Sequence, residues 1–418
     1  MYSQLRHIIG EPSTIGILGY GVEGRSTYKV LRQAYPSTDI IILDKSPTIQ
    51  EPDHPHTRTS LGADYLALIG ECDIVFRSPG VKLDAEDYTG LVTSQLDVFT
   101  KLHGSRIVGI TGTKGKSTTT ALTHHILSAQ YRAALVGNIG IPAFDTIGEE
   151  YDYYVCEYSC HQLSDITASP SIAVLLNLYP EHLDYYATVE DYYSTKLNIY
   201  KHQLASGILY TTQQVSEIVA DLPPRAEVVT AAPDIKYTDA LPGQHNKANQ
   251  DIAATIAFGL GVHLDKINER LATFSGLSHR LEVVHDDGRT KYINDSISTT
   301  PQSTIAGIKA YDDIAAVLIG GYDRGIDYEP LISFLSRVSS FEVVLFSKVG
   351  ARIANELPSR GELFEKFGQA VEYALAANYD GTVLMSPAAA SYDEFTSFVE
   401  RGRVFKEIIN KHYERDAQ

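Results

Sequence analysis

Short apolar runs recur along this chain, each closed by a cluster of small or acidic residues. Thr14-Ile-Gly-Ile-Leu18, Asp39-Ile-Ile-Ile-Leu-Asp44 and Asp73-Ile-Val-Phe-Arg77 read as strands in the first hundred residues. Residues 107–110, 133–137, 153–157 and 172–177 follow in the same style. Helical stretches at 27–34, 117–129 and 250–260 fall between or after them. Strands alternating with helices argue for an α/β protein with mainly parallel sheets, whose ligands collect at the strands' carboxyl ends. Residues 203–242 break the pattern, with Pro223-Pro224 and Pro233 marking loops. Residues 274–280 read as a linker, beyond which 291–296, 314–321 and 382–386 are strands interleaved with helices.

Two of these strands run into glycine-rich turns. The first continues as Gly19-Tyr-Gly21-Val-Glu-Gly24, and the next strand ends in Asp44. Strand, GxGxxG, helix, strand and acid form the dinucleotide-type fingerprint, in which glycines admit a pyrophosphate and the acid accepts from a sugar or base. Which nucleotide binds stays open at this point, because any diphosphate-linked nucleoside suits the same physics. The Ser78-Pro-Gly80 turn follows another strand and belongs on the rim of that crevice. The second turn is Gly112-Thr-Lys-Gly-Lys-Ser-Thr118. Its backbone N–H groups and the helix N-terminus make an anion cradle, where Lys116 neutralises phosphate charge and the Ser117 hydroxyl holds Mg²⁺. The usual spacing asks for glycine at 110, which is Ile here, with Gly109 and Gly112 beside it, so this is a shortened P-loop.

The 418 residues exceed one typical core, and two or three domains are expected. A net charge of -17 argues against sequence-independent binding to nucleic acid and against docking on anionic membranes. Three scattered cysteines, Cys72, Cys156 and Cys160, supply neither a disulfide framework nor a CxxC metal pair. With no signal peptide at residues 1–12 and no apolar run of about 20 residues, a cytoplasmic location is expected.

Taken together, GITGTKGKSTTT (109–120), GNIGIPAFD (137–145), Glu157-Tyr-Ser-Cys-His-Gln162, EHLD (181–184), GQHN (243–246), HR (279–280), NDS (294–296) and SPAAAS (386–391) resemble the Mur ligases of peptidoglycan precursor synthesis. Their order and spacing are most similar to the glutamate-adding branch. The resemblance implies three domains: a Rossmann-like one for a UDP-linked substrate (1–99), a central P-loop ATPase (100–276) and a Rossmann-like α/β domain for the amino acid (277–418). It implies that ATP phosphorylates the carboxylate of UDP-N-acetylmuramoyl-L-alanine and that the glutamate amine attacks the acyl phosphate. The expected partners are that substrate and glutamate, with no nucleic acid, no membrane, and a monomeric state.

The resemblance also assigns residues. Lys116 contacts the β- and γ-phosphates, with Gly112, Thr113, Lys114, Gly115, Ser117 and Thr118 around them. Ser117 and Glu157 hold one Mg²⁺, His182 a second, and Lys196 corresponds to a lysine that is carbamylated and turns toward the second ion. Asn246 and Asn249 face the adenine, and Arg280 with Asp295 the phosphates and ribose. Asn138 lies near the diphosphate and reacting carboxylate, and Ser159 and Gln162 belong to the substrate-binding set. Val22, Glu23, Asp44, Ser78 and Gly80 surround uridine and its phosphates. Thr299, Arg324, Ser391 and Phe398 match positions around the glutamate carboxylates, where the fork of Arg324 suits a carboxylate.

Departures cluster near the amino-acid end. A common lysine is Ile297 in Asn294-Asp-Ser-Ile-Ser-Thr-Thr-Pro301, and ELSSFQ becomes EYSCHQ at 157–162. D-glutamate is favoured on family frequency, while the Ile-Ser-Thr-Thr-Pro form looks like a variant branch that adds L-glutamate. The readings from other classes are an NAD(P)-dependent oxidoreductase, which leaves the P-loop unexplained, and a non-catalytic ligase-like binding subunit. Folate polyglutamate synthesis shares the central motifs but lacks a UDP-type first domain.

Overall fold

The computed structural model describes residues 1–84, 86–181, 185–232, 234–238, 241, 243–357 and 361–416. Seventeen strands among them form three sheets. The first sheet holds β1 (Thr14–Leu18), β2 (Asp39–Asp44), β3 (Thr57–Leu61), β4 (Ile74–Arg77) and β5 (Leu91–Thr93), in the order β3-β2-β1-β4-β5 and all parallel. The second holds β6 (Ile107–Thr111), β7 (Ala133–Gly137), β8 (Tyr153–Glu157), β9 (Ile172–Leu175), β10 (Ile208–Thr211) and β11 (Ala226–Val228), in the order β11-β10-β9-β6-β8-β7, again all parallel. The third runs β12 (Glu282–Asp286), β13 (Thr290–Asn294), β17 (Gly381–Met385), β14 (Ile314–Gly320), β15 (Glu342–Phe346) and β16 (Glu362–Phe364), with only β12 antiparallel.

The order of strands locates the crevices. In the first sheet the chain reverses direction across β1, so the loops after β1 and β4 splay apart and leave room for a ligand. In the second, β6 sits between β8 and β9, and the P-loop therefore opens between the ends of those strands.

The chain divides into two compact units, Met1–Thr238 with Gln244–Phe274, and Asp239–Gly243 with Ser275–Gln418. Within the first unit, one apolar cluster runs from Ile15 and Ile17 through Phe99 to Tyr154 and Leu175, joining the first two sheets. Phe99 meets Tyr154 edge-on at 5.0 Å, a favourable aromatic geometry. Polar ties lie beside it. Buried Gln95 donates to Thr27 Oγ1 (2.9 Å) and the Glu23 carbonyl (3.3 Å) and accepts from Phe144 N (3.2 Å). Gln95→Leu would strand those buried partners, and we expect a loss of about 2 kcal/mol in unfolding free energy, read as a lower urea midpoint.

Several boundaries differ from the pattern read along the chain, most by one or two residues and some by more. The helix after the first glycine turn begins at Val22 rather than 27, since Gly21 provides the extended entry and Glu23 suits a first turn. The helix expected from 250 starts at Gln244; its first turns are polar and so carry no apolar stripe to announce them. Residues 203–242 are not all irregular, because β10, the Gln213–Ile218 helix and β11 lie there. Each is too short for its periodicity to stand out. Among the described residues, no helix is long and apolar enough to cross a membrane.

Candidate active site

The P-loop follows a fully buried strand, β6. Gly115 has φ 82°, and a Cβ there would lie 2.7 Å from Asn249 Oδ1, so both the turn and its neighbour demand glycine. The loop is braced from the end of β9. Thr113 N donates to the Asn177 carbonyl (3.0 Å), and Lys114 N donates to Asn177 Oδ1 (2.8 Å). Thr113 Oγ1 donates to the Tyr179 carbonyl (3.2 Å). Lys114 itself is exposed and pairs with Glu181. The Lys116–Leu127 helix has no side-chain cap, which leaves Lys116, Ser117 and Thr118 presenting backbone N–H groups at its positive end.

Two lysines converge on one carbonyl. Lys116 Nζ donates to Gly112 O (3.0 Å) and Thr113 O (2.9 Å), while Lys196 Nζ reaches the same Gly112 O at 2.9 Å. Lys196 comes from the Val189–Lys201 helix, is 1% exposed and lies over the Tyr192 ring. Burial, and then the charge of Lys116, push its ammonium down to about 7. Burial also lowers Lys116, and Glu157 acts against that shift. Two cations beside a helix N-terminus repel each other unless an anion lies between them, and a polyphosphate meets that need.

Glu157 ends β8 and is 1% exposed. Asn138 holds it twice: Asn138 Nδ2 donates to Glu157 Oε1 (2.7 Å), and Asn138 N donates to the Glu157 carbonyl (3.0 Å). Glu157 Oε2 is buried and has no hydrogen-bond partner among the described residues. Buried carboxylate oxygens are rarely left so. Ser159 and Gln162 form a capping box on the Cys160–Leu163 helix, and Gln162 Nε2 also reaches Glu23 Oε2 at 3.4 Å. Burial pushes the Glu23 carboxyl up to about 7. Asn249 donates to Asn246 Oδ1 (3.1 Å), and both lie on the Gln244–Gly259 helix that brings Asn249 against Gly115. His182 lies outside the described residues.

At the crevice of the first sheet, Asp44 accepts from Tyr20 N (2.6 Å) and Ser46 N (2.8 Å) and so holds the glycine turn shut. Ser78 Oγ donates to the Gly19 carbonyl (2.8 Å), and a Cβ on Gly24 would fall 2.1 Å from that carbonyl. A cavity of about 350 Å³ opens here, with Asp44, Lys45, Tyr65, Gly80 and Lys82 in its wall. Val22, at the start of the helix that follows the glycine turn, is exposed. Lys45 and Lys82 belong to no motif, although Lys45 directly follows Asp44 and Lys82 lies two residues beyond the Ser-Pro-Gly turn.

In the second unit, Arg324 donates to the Thr299 carbonyl (2.8 Å), which brings two of the expected amino-acid residues together. Ser391 is buried, and the Phe398 carbonyl accepts from Ser296 Oγ (2.7 Å). Asp295 is buried too: its oxygens accept from Leu281 N (3.3 Å) and Ser386 Oγ (2.8 Å), and burial pushes it up to about 6. Arg280 Nε is buried and has no hydrogen-bond partner among the described residues.

Comparison with known proteins bears on these features. The Mur ligase middle domain matches residues 110–250, the segment that carries the P-loop, Glu157 and Lys196. UDP-N-acetylmuramoylalanine–D-glutamate ligase of Acetivibrio thermocellus is 32% identical, covering 95% of this chain and 96% of its own. UDP-N-acetylmuramoyl-L-alanine–L-glutamate ligase of Micromonospora is 31% identical, covering 95% and 96%. The chain belongs to the Mur ligase family.

It is thus an ATP-dependent, ADP-forming ligase. Its fold is also similar to that of UDP-N-acetylmuramate–alanine ligase from Thermotoga maritima, with a TM-score of 0.58 at 19% identity over 96% of this chain and 100% of that one. MurF ligase from the same organism, in complex with ADP, gives 0.58 at 15% identity over 95% of each chain. Among the described residues, no group of three or more His, Cys, Asp or Glu could hold a metal ion. Magnesium nonetheless fits a smaller donor set, since the unpartnered Glu157 Oε2 and the Ser117 hydroxyl are hard oxygen donors that substrate phosphates can complete.

Proposed function

We propose that this ligase joins glutamate to UDP-N-acetylmuramoyl-L-alanine in the cytoplasm, as a monomer, with D-glutamate the favoured amino acid. The observation that carries the reading is the convergence of Lys116 and Lys196 on Gly112 O at an uncapped helix N-terminus. In this reading residues 1–99 bind the UDP end, 100–276 bind ATP and 277–418 bind the amino acid.

ATP enters as substrate, with its phosphates on the turn from Gly112 to Thr118. Lys116 swings its ammonium from the loop carbonyls to the β- and γ-phosphates and offsets the charge that spreads over the transferring group. Ser117 and Glu157 would hold magnesium, which supplies Lewis-acid neutralisation of the phosphate oxygens when bound. Asn138 fixes the Glu157 carboxylate in one orientation. The substrate carboxylate attacks the γ-phosphorus, ADP departs, and the glutamate amine then displaces phosphate from the acyl phosphate. Alignment of carboxylate and phosphate is the chief demand, and buried ties such as Gln95 between the first two sheets keep it constant. Lys196, with its ammonium destabilised by burial, is chemically able to form a carbamate, because only the free amine reacts with carbon dioxide.

A second reading, transfer of L-glutamate, is favoured by the Ile297-Ser-Thr-Thr-Pro301 form and by the L-glutamate ligase among the relatives. Purified protein with ATP, Mg²⁺ and UDP-N-acetylmuramoyl-L-alanine, offered each enantiomer separately, decides between them. The proposal expects ADP release and a glutamyl product with D-glutamate; product from L-glutamate alone would replace it with the second reading. Asp44→Ala should raise KM for the UDP substrate on the order of tenfold with little change for ATP, measured by steady-state kinetics. The reverse pattern would exchange the two nucleotide sites.

A further inference from the structure

The second unit buries one cation that none of the roles above employs. Arg401 sits in the first turn and a half of the Phe398–Asp416 helix and is 1% exposed. Its Nε donates to Ser296 Oγ (3.1 Å). One terminal nitrogen donates to the carbonyls of Ser296 (2.9 Å) and Ala389 (3.0 Å), and the other to the carbonyl of Ala390 (3.3 Å). Every partner is a neutral oxygen. The nearest acidic influence is Asp393, which is not ion-paired with it, and burial pushes the guanidinium down to about 10. Neutral dipoles satisfy its N–H groups but leave its charge uncompensated, which is a costly arrangement to bury.

The three places it touches share a location. Ser296 follows β13, and Ala389 and Ala390 follow β17. Gly321, whose Cβ would lie 3.1 Å from the guanidinium, follows β14. These are adjacent parallel strands, so Arg401 lies beneath the carboxyl-end rim of the third sheet, where α/β proteins bind ligands. The loops it ties carry Thr299, Arg324 and Ser391. They are also tied to one another: Tyr322 N donates to the Ala390 carbonyl (2.8 Å), and Ala388 N donates to the Ser298 carbonyl (2.9 Å).

We propose that Arg401 is a positioning residue of the amino-acid site, clasping the loops after β13, β14 and β17 and supplying a fixed buried positive charge that draws the carboxylates of an acidic amino acid to their rim. This rests on the glutamate reading above. Arg401 does not touch the amino acid; it acts through the loop backbones and through a field that water cannot screen at that depth.

The test is steady-state kinetics of the full-length enzyme with each of the three substrates varied in turn. Arg401→Met is expected to raise KM for glutamate at least tenfold, while KM for ATP and for the UDP substrate stays within about twofold. Arg401→Lys, which keeps the charge but loses most of the fork, is expected to fall between the two and serves where the methionine variant does not fold. A glutamate KM like the wild type's in either folded variant overturns the proposal, as does an equal rise for all three substrates. The wild-type arm separates this from failure of the glutamate reading. If the wild type accepts only an amino acid without an acidic side chain, that reading falls, and the Arg401 effect is then read on the KM of the amino acid it does accept.

Discussion

Lys116→Ala is expected to lower kcat by about 10³-fold while binding of the UDP substrate, followed by calorimetry, stays nearly unchanged. The magnitude follows from removing a preorganised cation at developing phosphate charge, which typically costs two to three orders of magnitude. Selectivity follows from position. Among the described residues Lys116 bonds to its own loop, at Gly112 and Thr113, and lies at the end of β6, whereas the cradle proposed for the other nucleotide's diphosphate lies at the end of β1. Turnover like the wild type's would remove the P-loop from the reaction.

The second large effect concerns Lys196. Its alanine variant should lose on the order of 10²-fold in kcat, and short carboxylic acids should restore part of it by placing an oxygen donor where the carbamate stood. Rescue distinguishes a chemical role from support of the loop, since Lys196 also donates to Gly112 O and a packing defect would not respond to acetate or formate. The pH dependence has a definite sign. With the ammonium at about 7, the free amine needed for a carbamate dominates above that pH and is lost below it, so wild-type kcat should fall as the medium is acidified through 7. The same shift makes folding stability rise with pH from about 7 toward the ordinary lysine range, because there the unfolded chain still binds a proton that the folded one has released. A kcat that is flat from pH 8 to 6, together with no rescue, would show that the amine is not used this way.

Much of the central site was legible because glycine and strand ends are local signals. Gly112, Gly115, Lys116 and Glu157 could each be placed from a short apolar run and the turn that closes it. Lys196 could not. On a helix whose spacing suits a surface lysine, it lies over the Tyr192 ring of its own helix, and its burial against Gly112 depends on packing between segments 84 residues apart. The resemblance names Asn249, but the pattern starts its helix six residues late, because the polar first turns from Gln244 carry no apolar period. Gln95 and Arg401 are non-local as well. Each is a polar side chain buried by several loops at once, and nothing in its neighbours along the chain announces those partners. β10, β15 and β16 are not legible in the sequence, because no glycine turn closes any of them and three to five residues alone do not establish a period.

The account stands on the claim that a triphosphate held at residues 112–118 activates the substrate's acid group. UDP-N-acetylmuramoyl-L-alanine labelled with ¹⁸O in its carboxylate tests that claim, by mass analysis of the inorganic phosphate released during turnover with ATP, Mg²⁺ and glutamate. Passage through an acyl phosphate predicts one labelled oxygen in each phosphate formed; unlabelled phosphate, its fourth oxygen drawn from water instead of the carboxylate, would contradict it.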